Sequence, residues 1–480
     1  MHTPSDPQKA ILGPCLFLDG AENGRLLLSA IVVAPAQTHL PDLEANGLRA
    51  PFTRLAEIEH EAVFRARFAV PDDRPSTYRA LGETFPVASA VAEDLRLAFV
   101  SCDGEEHGDL FRETAERNAM WARLVEDHRG APFSLLLHGG DQIYADEVTK
   151  GHALTEGWPK SVPDTPAPEA LEDLAEHLRR GFFERYTQHL RCPAFSWLAA
   201  RIPSLAQWDD HDICDGWGSL PEKATRSAVG QTLFSVAREM ALLFQHGTTD
   251  DDLPPKFVDR TGGHLGWVVD LPDLRLVGPD LRSERTRHQI MGQGGWTMMD
   301  SLREREPVAR TMLLSSVPLL GPRLSLLETI MVAIPGMMKY EDDLRDQWQS
   351  RAHRTEWRRI LGLLVDLAAQ TGTDVTAVSG EIHLATRAEM ALDDGRVLHQ
   401  LVASGITHRA PPRAWALFLG LLSFWHEGPL PGRPIRIHRI PGQSAAYVAD
   451  RNRLGLERRG GAWRAQWDFE TTGPSELLLV

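Results

Sequence analysis

Cysteine is scarce and unpaired in the sequence: Cys15, Cys102, Cys192 and Cys214 are the only 4 in 480 residues, and none shows C-x-x-C spacing. That excludes a small zinc knuckle and argues against a disulfide framework. Long apolar runs are missing too. No stretch approaches the roughly 20 uninterrupted apolar residues of a membrane helix. Met1 to Ala10 is polar, carries Pro4 and Pro7, and lacks the charged-then-apolar order of a secretory signal. The expectation is a cytoplasmic, reduced protein, with a periplasmic or secreted location as the alternative. Positive charge is in deficit, 51 Lys+Arg against 66 Asp+Glu for a net charge of −15, so no basic surface advertises nucleic acid or an anionic membrane. No G-x-S-x-G elbow follows a strand, which speaks against a serine-nucleophile hydrolase. Internal repeats and low-complexity tracts are absent.

What is present belongs to a globular chain, with 42% hydrophobic and 24% charged residues. Its length suggests about two or three units. Residues 1–93 read as a small β-sandwich-like domain, with short β-segments at Cys15-Leu18, Arg25-Val33, His60-Ala69 and Ser76-Ala80 between Gly, Pro, Asn and Asp. From 94 to 432 apolar runs alternate with amphipathic segments, as a layered α/β core requires. Buried strands are expected at Arg96-Val100, Phe133-His138, Ser204-Trp208, Leu274-Val277, Thr311-Ser315, Val375-Ser379 and Val397-Ala403. Helices are expected over 112–128, 168–190, 223–245 and 354–370, and Gly292-Gly295 reads as a loop. Residues 433–480 alternate like strands and are expected as a β-rich C-terminal extension packed on the core.

Four polar clusters fall at the C-terminal ends of expected strands: Ser101-Cys102-Asp103, His138-Gly-Gly-Asp141-Gln-Ile-Tyr144-Ala-Asp146, Trp208-Asp209-Asp210-His211-Asp212, and Ser379-Gly380-Glu381-Ile-His383. Strand carboxyl ends are where open α/β sheets bind ligands. Carboxylate and imidazole suit Zn, Mn or Fe, while thiolate and phenolate favour a more oxidised iron. Each residue also has a plainer reading. Cys102 fits a buried small hydrophobe, Asp141 a helix N-cap, Tyr144 packing, and Glu381 with His383 a structural ion pair. The run Asp209-Asp210-His211-Asp212 is harder to explain without a cation, because its carboxylates repel one another.

In their order along the chain these motifs resemble the PhoD-like metallophosphatases, the alkaline phosphatase D family. Pro279-Asp280-Leu281-Arg282 with Arg285, and Ser315-Ser316-Val317-Pro318, add weaker matches, and the likeness runs from about Leu95 to Ser404. The resemblance implies an α/β fold: a four-layer αββα metallophosphatase core preceded by a small N-terminal β-sandwich. It implies a dinuclear or trinuclear centre of Fe(3+) with one or two divalent ions, calcium first, with manganese, zinc or magnesium as alternatives. Cys102, Asp141 and Tyr144 would hold iron, Asp141 would bridge to a second ion on Asp210, and Glu381 and His383 would complete the set. Arg282 or Arg285 would hold the phosphate of a small ester substrate.

Attack by a metal-activated hydroxide is then the expected mechanism, with His211 protonating the leaving oxygen and Asp209 and Asp212 either orienting His211 or supporting the metal ligands from behind. Glu381 departs from the Asp usual in the family, and Asp212 from the usual Glu. A metal-binding scaffold of the same fold that has lost turnover, or a hydrolase of a non-phosphate ester, are the competing expectations.

Overall fold

The computed structural model describes residues 11–322, 347–380, 382–423 and 427–480. Two large sheets form, the first from strands of both halves of the chain and the second from strands between Trp267 and Val448. In the first, Leu95–Val100, Leu135–Gly139 and Ser204–Gln207 lie side by side and parallel. They are near-continuous apolar runs because both faces are covered. In the second, Leu274–Gly278, Arg310–Leu314, Asp374–Ser379 and Val397–Val402 are parallel neighbours. Antiparallel Trp267–Leu271 and Ala385–Ala391, neither expected from the sequence, flank them.

Alternation along the strands decides what each face meets. Leu274, Leu276, Met312, Leu314 and Val378 join the core shared with the first sheet. Val277, Leu313, Val375 and Ala377 point the other way, into a separate core with Trp296 of helix Gln293–Ser301 and Trp357, Leu361 and Leu364 of helix Arg354–Thr371. Helices Ala119–Gly130, Pro168–Arg191, Pro193–Ala199 and Ala228–His246 cover the first sheet through Trp121, Leu178, Phe195 and Leu233. Two buried indoles tie the sheets together, Trp267 Nε1 donating to the Ala206 carbonyl at 2.7 Å and Trp467 Nε1 to Val402 at 2.8 Å. The layering is the expected αββα.

Local sequence fixes the helix ends. Ser227 accepts from the Gly230 amide as an N-cap, and Gly247 closes the same helix at φ 63°. The glycines at 292–295, expected as a loop, instead open the Gln293–Ser301 helix. No described helix is long and apolar enough to cross a membrane.

Residues 11–93 are β-rich as expected. Leu12–Glu22, Arg25–Pro35, Glu61–Pro71 and Thr53–Ile58 pair in antiparallel order, and a four-stranded sheet packs on them, Tyr78 stacking between Phe68 and Phe85. Leu12–Glu22 also lies parallel to Ser204–Gln207, so one sheet of this sandwich runs on into the first large sheet. The tail at 433–480 differs from the expected extension. Ile435–His438 pairs with Ala385–Ala391 and Asn452–Arg459 with Leu95–Val100, so the C-terminal strands are members of both sheets. Edge strands expose unpaired amides and carbonyls, and these pairings cover them.

Candidate metal centre

The carboxyl ends of both sets of parallel strands meet at one place. Leu95–Val100 delivers Cys102, Leu135–Gly139 delivers Asp141, Ser204–Gln207 delivers Asp209 and Asp210, and Asp374–Ser379 leads to His383. Backbone bonds lock the loops together. The Cys102 amide donates to Gly140 O at 3.1 Å and the Asp103 amide to Asp141 O at 2.8 Å, while the His408 amide donates to Cys102 O at 3.2 Å.

The backbone is strained where the side chains converge. Among described residues other than glycine, positive φ occurs at Asn23, Asn46, Glu59, Leu81 and Asp273, and at Cys102 (56°), Asp141 (51°) and His383 (52°). The first five turn β-hairpins. The last three turn none, and left-handed backbone away from turns concentrates at functional sites. Gly140 lets the loop close: a Cβ there would sit 2.7 Å from Asp209 Cβ, and its φ is 104°.

Among the described residues two sets of ligand atoms result, the atoms of each lying within 4.8 Å of one another: Cys102, Asp141 and His383, and Asp141, Asp210 and His211. Asp141 belongs to both. Its Oδ2 is 3.5 Å from Cys102 Sγ and 3.4 Å from the Tyr144 hydroxyl, which is 3.1 Å from His383 Nε2. Its Oδ1 is buried and has no hydrogen-bond partner among the described residues. Asp141 caps no helix. Burial pushes its carboxyl well above the usual range, as does repulsion from Asp209, Asp210 and Asp212, against the opposing pull of His211. Burial, Cys102 and Asp141 likewise raise the Tyr144 phenol. A thiol, a phenol, carboxylates and imidazoles converging in a dry site fit metal ions, which would relieve both the repulsion and the orphaned oxygen.

His211 stacks on Tyr144 at 4.4 Å, and its Nδ1 lies 3.0 Å from both oxygens of Asp146. Burial opposes its charge, but Asp146 and Asp210 hold the imidazole well above its ordinary pKa. Asp146, not Asp209 or Asp212, therefore orients His211. Asp212 instead accepts from the Asp209 and Ile143 amides and from Gln245. Asp209 accepts from Ser316 Oγ at 2.8 Å and from Arg282 Nε.

Arg282 is fully buried, and besides Asp209 it donates to Trp217 O at 3.0 Å and Asp210 Oδ1 at 3.3 Å. Its fork is turned onto these carboxylates. Arg285 is buried too, its side chain packed over Gly218. Glu381 lies outside the described residues. Sequence reasoning missed His408, whose ring stacks on His383 at 3.4 Å and whose Nε2 is 3.4 Å from Glu106. It also missed Ser404, whose Oγ is 3.1 Å from Cys102 Sγ. The Gly405 turn that presents His408 was the available signal.

Residues 110–339 match the family model described as PhoD related phosphatase. That span holds Asp141, Tyr144, Asp210, His211, Arg282 and Arg285, while Cys102 and His383 fall outside it. An uncharacterized protein of Saccharomyces cerevisiae is 24% identical over 392 residues, 63% of this chain and only 55% of the yeast protein. The chain thus matches little more than half the length of that relative. Among solved structures, PhoD aligns with a TM-score of 0.57 at 12% identity, over 100% of this chain and 90% of that one. A purple acid phosphatase from yellow lupin (Lupinus luteus) seeds aligns with a TM-score of 0.52 at 11% identity, over 97% and 73%. At these identities the likeness to the solved structures is one of fold.

Proposed function

From the premise that the chain is PhoD-like in sequence and in fold, we propose that it is a metal-dependent phosphoesterase acting on small phosphate mono- or diesters. The observation that carries this reading is Asp141, one carboxylate shared by two ligand sets at the meeting point of the strand ends. Cys102, Tyr144 and His383 would hold one ion with Asp141, and Asp210 would hold a second. Thiolate and phenolate suit Fe(3+) at the first position; with His211 serving as acid and not as ligand, the second position keeps the carboxylates of Asp141 and Asp210, which suit a hard divalent ion such as calcium, manganese or magnesium. Glu381 stays in the ligand set on the sequence argument alone.

Bound cations would supply Lewis acidity, neutralising phosphoryl charge and making water acidic enough to attack at neutral pH. The chain's own groups supply the rest. Arg285 grips a phosphate oxygen pair, a geometry that lysine cannot reproduce. His211, kept charged by Asp146, delivers its proton to the leaving oxygen through Nε2. Arg282 and Ser316 fix Asp209, so the ligand loop holds its shape when the substrate's charge arrives.

The test is elemental analysis of purified protein, paired with rates on matched aryl phosphate mono- and diesters. The reading requires bound metal and hydrolysis of at least one class. Asp141→Asn should lose metal and at least about 10²-fold in rate. His211→Asn should keep metal while losing rate. Full metal and full rate in Asp141→Asn would sink the assignment, and metal loss in His211→Asn would make His211 a ligand.

A further inference from the structure

Ser404 stands where the two large sheets and two of the candidate ligands meet. It follows the strand Val397–Val402 of the second sheet and is fully buried. Its Oγ accepts from the His383 amide at 3.0 Å and donates to Cys102 Sγ at 3.1 Å. A backbone amide can only donate, so the hydroxyl receives that bond as acceptor and keeps its single proton for the sulfur. One side chain thus touches the sulfur of a candidate ligand from the first sheet and the backbone of another from the second.

The surroundings hold this serine in place. Its amide donates to Asn452 Oδ1 at 3.3 Å, and Asn452 Nδ2 returns a bond to Ser404 O at 2.8 Å. Asn452 is fully buried too, and it opens the strand Asn452–Arg459 that pairs with Leu95–Val100, the strand leading to Cys102. The turn after Ser404 grips the same loop, the Ile406 amide donating to Ser101 O at 3.0 Å. A cysteine that binds metal does so as a thiolate. Its own bond to Asp141 Oδ2, at 3.5 Å, needs the thiol proton, whereas the bond from Ser404 does not. From a hydroxyl to a neutral thiol such a bond is weak, and to a thiolate it is charge-assisted.

We propose that Ser404 is a positioning residue of the metal centre, its hydroxyl fixing the Cys102 sulfur and drawing charge from the thiolate that binds metal. Hydrogen bonds to a ligating sulfur tune the ion it holds. A thiolate that gives up less charge leaves its ion a stronger Lewis acid toward a phosphoryl oxygen. The proposal rests on the metal reading of Cys102 given above, and on no particular substrate.

The experiment is absorption spectroscopy of the full chain loaded with Co(2+), a probe that reports thiolate ligation through a charge-transfer band. The wild type should show this band and Cys102→Ala should lose it. In Ser404→Ala the band should persist and move to longer wavelength, because a sulfur without its hydrogen bond gives up charge more easily. Ser404→Thr, which keeps the hydroxyl, should return it to the wild-type position. A serine with a merely structural role would lower cobalt content or melting temperature and leave the band where it was, and that result overturns the proposal. Should Ser404→Ala not fold, resonance Raman spectra of the cobalt-loaded wild type decide. Transfer to heavy water should shift the cobalt–sulfur stretch, and an unshifted stretch overturns the proposal equally. A wild type without the band overturns it together with Cys102 as a ligand. The expected shifts in a protein that hydrolyses no phosphate ester would support the role of Ser404 and remove only the phosphoesterase reading.

Discussion

His211 Nδ1 stands 3.0 Å from both carboxylate oxygens of Asp146, although 65 residues separate them. The two strand-end loops that carry the ligands thus also assemble a His–Asp pair, and the Ala145 amide donating to His211 O at 2.8 Å fixes their spacing. Asp146 raises the imidazole's pKa, and in the proposed mechanism the imidazole serves as proton donor and not as neutral base.

Asp146→Asn should lower the rate by about 10²-fold while leaving bound metal unchanged. The carboxylate raises the His211 pKa, so removing it lets the imidazole lose its proton at lower pH. The alkaline limb of the kcat/KM profile should therefore move toward lower pH. An alkaline limb that stays put would assign that limb to another group.

Arg282→Lys should behave as a structural lesion of the centre. A lysine cannot reach Asp209, Asp210 and the Trp217 carbonyl at once, and it leaves buried carboxylates uncompensated, at a cost of about 3–5 kcal/mol. Lower melting temperature and reduced metal content should appear together. Retained metal and stability with only KM raised would instead return Arg282 to substrate binding.

Two glycines should respond in opposite directions. Gly140→Ala places a methyl 2.7 Å from Asp209 Cβ on a backbone at φ 104°, and should abolish metal binding and destabilise the fold. Gly362→Ala, within the Arg354–Thr371 helix with nothing near its Cβ, should stabilise by roughly 0.5–1 kcal/mol. Chemical denaturation of both variants makes the comparison.

Asp280 gives a pH-dependent stability. Burial opposes its charge, yet hydrogen bonds from Ser283, the Leu265 and Ser283 amides and Trp208 hold its carboxyl below the usual range. The bonds donated by the Trp208 indole and by the Arg282 amide are both 2.9 Å. A depressed folded pKa stabilises fully above the unfolded value of about 3.9, and the benefit is lost as pH falls through the folded value. Asp280→Asn should cost roughly 1–3 kcal/mol at neutral pH, and its gap from the wild type should narrow below about pH 4. Denaturant melts at pH 3, 5 and 7 decide it, and a gap independent of pH would remove the linkage.

The sequence by itself determined the parallel strands and the residues at their ends, because both are local. An apolar run covered on both faces needs no partner to be recognised, and a loop that leaves such a strand must be polar. The placement of Cys102, Asp141, Asp210, His211 and His383 just beyond strand ends was legible for that reason, while Glu381 lies outside the described residues. Only the tertiary structure decided the pairings. Nothing near Asp146 announces that it will face His211, and nothing in the Asp280-Leu281-Arg282 run reveals that Arg282 turns inward to Asp209 and Asp210. Ala385–Ala391 reads as a strand only once Val397–Val402 and Ile435–His438 lie on either side of it. His408 enters the centre only because the Gly405 turn folds back onto Cys102. These choices depend on which surfaces meet across hundreds of residues, and hydrophobic periodicity carries no record of that.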